Sequence, residues 1–150
     1  MCKGFTLIEI LAVVLIVAIL TSVAVPQYRS SLERSKFTEV RQMLPAIYDA
    51  SERLAVENLC ENWNTSNCRN KIKIDALDVD SKIKKDGLQY RSKNFTYSID
   101  LRAQQVTAVR SGGRWNGVRI IYDGDTFICR EPADNYTGAC ARQLGFTEAD

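Results

Sequence analysis

The residues of this chain with chemical reach are few, and their spacing restricts what they can do. Five cysteines occur, and Cys2 stands apart from Cys60, Cys68, Cys129 and Cys140. Those four form an even set at separations of eight and eleven residues. Two local disulfides, Cys60 with Cys68 and Cys129 with Cys140, fit that spacing and imply an oxidising compartment beyond the cytoplasmic membrane. Four thiolates on zinc is the alternative, although neither pair has the short CxxC-type spacing of such sites. Histidine is absent, which removes the commonest general base and metal ligand and every Ser/His or Cys/His nucleophile arrangement. Gly112-Gly113 lies between Arg110 and Arg114 but opens no helix and matches no P-loop. Asp123 and Asp125 could hold calcium, yet as hairpin residues they need no metal. No catalytic constellation is left, so neither an enzyme activity, a cofactor nor a metal is expected.

The remaining group of interest is Glu9. It is the only charge in the 21 residues from Phe5 to Val25, FTLIEILAVVLIVAILTSVAV. As a helix that run is about 31 Å long at 1.5 Å per residue, enough to span a bilayer. A carboxylate within it costs about 2.5 to 3.5 kcal/mol at the bilayer centre and less near an end. A charge kept at that cost implies a partner. Lys3 precedes the run as a single positive charge, which places the first four residues on the cytoplasmic side. A plain signal anchor, a cleaved signal peptide with a small-residue site at Ser22-Val23-Ala24, and a buried core helix compete with a functional span. The signal peptide leaves Glu9 unexplained, and a chain this size has too few other elements to surround the run as a core helix.

The elements that must position these residues follow from pattern. A chain of 150 residues, with 20 basic and 18 acidic side chains and a formal charge of +2, is sized for one domain and does not demand a polyanionic partner. No glycine occurs between Gly4 and Gly87, and residues 27–59 are rich in helix formers. Phe37, Val40, Leu44, Ile47 and Leu54 recur at helical spacing with charges between them, which predicts an amphipathic helix half over 26–59. Pro26 and Pro45 should bend or loosen the helix rather than end it. From Phe5 to about Leu59 it would measure roughly 80 Å, its first half protruding and in need of lipid or copies of itself as cover.

Beyond it, CENWNTSNCRN reads as a surface loop opening the region 60–87. The lysines of KIKIDALDVDSKIKKDG, together with Arg91 and Arg102, read as a solvated face. LQYRSKNFTYSID, QQVTAVR, GVRIIYD and DTFICRE predict four antiparallel strands over 88–130. Asp123-Gly124 suggests a two-residue type I′ hairpin, and Ser111-Gly112-Gly113 a looser turn. The tail 129–150 has no strand pattern; a Cys129–Cys140 bridge would stabilise it by about 3 kcal/mol on the chain-entropy model. The fold class expected is α+β, a long N-terminal helix packed by its C-terminal half on a four-stranded antiparallel sheet.

Gly4-Phe5-Thr6-Leu7-Ile8-Glu9, followed by the apolar run and Pro26-Gln27-Tyr28, resembles the prepilin signature of type IV pilins and of type II secretion pseudopilins. The resemblance implies that residues 1–4 are a leader carrying Cys2, cut between Gly4 and Phe5 by a membrane-embedded prepilin peptidase, with N-methylation of the new amine at Phe5. Residues 5–25 would then be the transmembrane and filament-core helix, and 60–150 the globular head of the type IV pilin fold. The resemblance further implies polymerisation into a helical filament served by an assembly platform, cytoplasmic ATPases and an outer-membrane secretin. It implies residence in the inner membrane, single-pass and N-in, before assembly into an extracellular pilus for adhesion, twitching motility or DNA uptake, nucleic acid being contacted only at the level of the fibre. The disulfide-bounded tail, with Asp134, Asn135, Tyr136 and Thr137 at its tip, resembles the surface and contact region of pilins. A pseudopilin of a periplasmic pseudopilus is the alternative, where a calcium-bound loop typically replaces the bridge.

The physics of Glu9 stands beside that resemblance. Cleavage after Gly4 would create an ammonium at Phe5, four residues from Glu9 and near the positive end of the helix. Two desolvated charges attract when matched and are costly when unmatched, so Glu9 meeting the Phe5 amine of a neighbouring copy would set axial register.

Overall fold

Helix formers uninterrupted by glycine give one long helix. The structure is a computed structural model that describes residues 5–73, 85–86, 88–113, 115–133, 140, 144 and 146–148. Gly4, Cys2, Arg114, the lysines between 74 and 84, and Asp134, Asn135, Tyr136 and Thr137 lie outside the described residues. The chain divides into two compact units, residues up to Ser35 and residues from Lys36 onward.

In the first unit the described structure is the opening of helix α1 (Leu7–Glu57). Thr6 starts it by accepting the Glu9 amide at its hydroxyl oxygen, 3.3 Å, and at its carbonyl, 3.1 Å. That satisfies one of the donors a helix start leaves unpaired. The helix runs through both Pro26 and Pro45. Thr21 donates its hydroxyl to the carbonyls of Val17 and Ala18, and Ser22 to that of Ile19, so these polar groups are satisfied within the helix itself.

In the second unit α1 buries Phe37, Val40, Leu44, Ile47, Ala50, Ser51 and Ala55, the stripe expected from periodicity, with Leu54 packed partly against it. The helix ends at Glu57 on a Schellman closure. The Cys60 amide donates to the Ala55 carbonyl and the Leu59 amide to that of Val56, while Leu59 takes φ 54°, the left-handed position usually given to glycine. The segment that follows is not the plain surface loop expected from its asparagines. It contains a short helix, α2 (Ser66–Arg69), and buries Trp63, Cys68 and Ile72 completely. Trp63 Nε1 donates to Glu52 at 2.8 Å and its ring packs on Tyr48, so one aromatic turns a polar stretch inward.

The sheet follows chain order: β1 (Lys85–Asp86), β2 (Gln89–Arg91), β3 (Phe95–Asp100), β4 (Gln105–Arg110), β5 (Arg119–Tyr122), β6 (Phe127–Arg130) and β7 (Thr147–Glu148). Its body is five antiparallel strands, β2 to β6, not four, with two-residue strands added at each edge and β7 running parallel to β6. The extra strand comes from LQYRSKNFTYSID, expected as one strand and found as two. The Ser92 hydroxyl accepts the amides of Asn94 and Phe95, and this side-chain turn folds the segment back so that Tyr90 faces Tyr97.

Strands β3 and β4 alternate cleanly. Phe95, Tyr97 and Ile99, with Val106, Ala108 and Arg110, are buried and meet the α1 stripe, Phe37 lying edge-on to Phe95 at 5.0 Å. Arg110 is 4% exposed. Its Nη1 donates to the carbonyls of Asn94 and Ser111 and its guanidinium sits over the Phe95 ring, so it is spent inside the fold.

The hairpin at Asp123-Gly124 is present but is not the two-residue type I′ turn. Tyr122 pairs with Phe127, leaving a four-residue loop closed by Asp123 Oδ1, which accepts the amides of Asp125 and Thr126. The Asp123 side chain supplies the closure that a type I′ backbone would otherwise give. Asp100 closes the β3–β4 hairpin in the same way, accepting the amides of Arg102 and Ala103.

Candidate functional site

The first unit is the unusual part of the chemistry. Every described residue from Phe5 to Tyr28 is exposed, including Phe5 at 79%, Leu7 at 79% and Leu15 at 62%. Among the described residues α1 supplies the one helix long and apolar enough to cross a membrane. Contiguous apolar surface of this extent marks a contact with lipid or protein.

At the start of that surface Glu9 sits in the first turn of α1, where the helix end is positively polarised and favours an anion. Phe5 lies two residues ahead of the helix, exposed. Thr6 holds the backbone of Glu9, a position that reading Glu9 as a lone charge passed over. The signal was in the order Thr6-Leu7-Ile8-Glu9, the S/T-x-x-E pattern of a capping box. A helix start held in this way fixes the height of Glu9 on the helix while leaving its carboxylate at the surface.

The cysteine pairs are joined as two bridges, Cys60–Cys68 with Cα atoms 6.2 Å apart and Cys129–Cys140 with Cα atoms 5.5 Å apart. Cys68, Cys129 and Cys140 are buried. Cys129 lies on β6, so the second bridge ties residue 140 to the sheet, and the Cys140 amide donates to the Glu131 carboxylate at 2.9 Å.

Asp123 and Asp125 do not join a metal-sized cluster among the described residues. The amides of Thr126 and Asp125 hold the Asp123 carboxyl below the usual carboxylate range, and those bonds occupy it. Arg110, beside the Gly112-Gly113 pair that matches no P-loop, lies in the core, and Arg114 and the tail tip are outside the described residues. Two polar ties between α1 and the rest of the second unit carry no sequence signal. Glu39 accepts from Tyr97 at 3.1 Å, and Arg41 donates to the Leu144 carbonyl and stacks over Phe146. Burial, and next the charge of Glu39, push the Tyr97 hydroxyl well above the ordinary tyrosine range.

Comparison with known proteins adds to this geometry. Residues 1–25 match the model of the prokaryotic N-terminal methylation motif. The chain is 40% identical over 55 residues to a fimbrial protein of Pseudomonas aeruginosa, covering 37% of this chain and 36% of that protein. It is 36% identical over 70 residues to the type IV major fimbrial protein FimA of Dichelobacter nodosus, covering 43% of this chain and 45% of that one. It is 42% identical over 50 residues to the type IV major pilin protein PilA of Myxococcus xanthus, covering 33% and 23%. The match thus spans less than half the length of each. No solved structure matches the chain. The methylation motif at its start, the named pilins it resembles over its N-terminal part, and a long N-terminal helix ahead of an antiparallel sheet make this chain similar to type IV pilins.

Proposed function

We propose that the chain is a structural subunit of a type IV pilus, cut between Gly4 and Phe5, N-methylated at Phe5, and polymerised through the apolar part of α1. The observation that carries this is the uncovered apolar surface of residues 5–25 with one carboxylate, Glu9, in its first turn. In the precursor, lipid covers that surface and the subunit is an inner-membrane protein with its start in the cytoplasm. In the filament, the same surface of other copies covers it. Moving from lipid to protein exchanges one apolar environment for another, so the apolar residues alone give little direction to assembly. The desolvated pair between Glu9 and the Phe5 ammonium of a neighbour supplies the direction and the register. The peptidase, platform protein, ATPases and secretin of such systems are the partners in this scheme, and adhesion, twitching motility or DNA uptake are properties of the finished fibre.

Mass spectrometry of the mature protein is the test. The expected mass begins at N-methylated Phe5 with both disulfides closed. A mature start at Val25 would make the chain an ordinary secreted domain, and an intact Met1 in cells that contain the peptidase would make it a static anchor; either result overturns the proposal.

A further inference from the structure

The face of the sheet turned away from the core carries a groove of about 770 Å³, within the size range of ligand sites. Four cations among the described residues line it: Arg69 after the first disulfide loop, Lys73 beyond it, Arg102 in the β3–β4 turn, and Arg119 at the start of β5. All four are exposed. They come from three separated stretches of sequence, while the chain as a whole carries only +2. Among the described residues Asp100 is the one carboxylate in the lining, and its Oδ1 is engaged by the amides of Arg102 and Ala103. Arg69 is held in place by Asn64, whose Oδ1 accepts from both Nε, at 3.2 Å, and Nη2, at 2.8 Å. Asn64 is neutral, so the guanidinium is oriented without a counter-charge to offset it. A guanidinium set in place before binding loses less freedom on meeting a carboxylate.

The rest of the lining narrows the ligand. Ser98 and Thr107 face each other across β3 and β4, and offer hydroxyls at the floor. Leu88 and Val109 add small aliphatic patches. Among the described residues no aromatic side chain lines the groove, so they offer no stacking platform of the kind single-stranded nucleic acid uses. Asp100 can accept hydrogen bonds from hydroxyls through its second carboxylate oxygen. Cations for scattered carboxylates, acceptors and donors for hydroxyls, and aliphatic surface for ring C–H groups together describe a sugar acid.

The geometry points to a binding site for a short acidic oligosaccharide, its carboxylates on Arg69, Arg102 and Arg119 and its ring hydroxyls on Ser98, Thr107 and Asp100. This stands apart from the filament reading, because the groove lies wholly in the second unit and needs no polymer.

Titration calorimetry on the full-length chain in detergent micelles tests it, with tetragalacturonate as the probe, maltotetraose as its neutral counterpart and a short single-stranded oligonucleotide as the rival polyanion. Tetragalacturonate is expected to bind, and Arg102→Gln with Arg119→Gln to weaken it at least tenfold. Lys73→Gln should weaken it by a smaller factor, and Arg53→Gln, an exposed charge on α1, should leave it unchanged. Circular dichroism on each variant confirms that the fold is kept, and Lys73→Gln serves if the double variant fails to fold. Absence of tetragalacturonate binding, equal binding of maltotetraose, tighter binding of the oligonucleotide, or indifference to the groove substitutions would each overturn the assignment.

Discussion

The Tyr97 hydroxyl on β3 donates to the Glu39 carboxylate on α1 at 3.1 Å, and so joins helix and sheet beside an otherwise apolar core. Tyr97 is fully buried, and its native pKa is raised by burial first and by the Glu39 charge second. A raised native pKa means that the unfolded tyrosine releases its proton at a lower pH than the folded one. Its contribution is therefore whole below the ordinary tyrosine pKa of about 10 and is lost as the pH climbs above it. Thermal melts between pH 8 and 11 should show falling stability above pH 10, and Tyr97→Phe should flatten that fall. Tyr48 and Tyr122 are also raised by burial, so some slope remains. At pH 7, Tyr97→Phe should cost about 1 kcal/mol for the lost hydrogen bond. An unchanged alkaline slope would show that Tyr97 does not control it.

Glu9 has a prediction of its own. Its amide is anchored by Thr6, so a side-chain change leaves the helix start in place. Glu9→Val should insert, be processed at Phe5, and accumulate as subunits without filaments, since the matching charge is gone while the apolar surface is enlarged. Glu9→Gln should fall between the two, keeping a hydrogen bond without the charge. Filament yield by electron microscopy, set against the processed subunit by immunoblot, reads the outcome; normal filaments from Glu9→Val would rule out the register role.

Gly124 turns the β5–β6 hairpin at φ 102° directly against Tyr48, whose ring tip would lie 2.6 Å from an added Cβ. That ring is packed between Trp63 and Tyr122, so it cannot simply step aside. Gly124→Ala should lower stability by about 2 kcal/mol, from overpacking added to the unfavourable φ. Gly112 offers the control: its φ is 77° and an added Cβ meets nothing within 4 Å, so Gly112→Ala should cost about 1 kcal/mol. Equal losses in denaturant titrations would mean that Tyr48 yields and the close approach carries no weight.

Leu59 ends α1 in the left-handed conformation at φ 54° while 91% exposed. Its side chain therefore gains little from burial and bears the strain of the cap. Leu59→Gly should relieve this and stabilise the second unit by about 1 kcal/mol, net of the greater freedom glycine has when unfolded. An unchanged or lower melting temperature would show that Leu59 pays for its backbone through a contact made at the rim.

Local order in the residues decided much of this protein before any tertiary contact. The absence of glycine from residue 5 to 86 and the run of helix formers determine one helix, and the spacing of Phe37, Val40, Leu44 and Ile47 determines which side of it is buried. The unbroken apolar run with Glu9 alone inside it sets out the exposed apolar surface, and strand-like alternation sets out most of the sheet. Each is a short-range property, because periodicity and propensity act over a few residues. Three-dimensional packing decided the rest. Trp63 drew a polar stretch inward, and Arg110 was taken into the core, its guanidinium bonded to the carbonyls of Asn94 and Ser111. Arg41 reaches a carbonyl 103 residues away at Leu144, and Arg69, Lys73, Arg102 and Arg119 reach one groove from stretches that share no pattern. Such meetings depend on how the sheet twists and where loops return, and no window of sequence contains both partners.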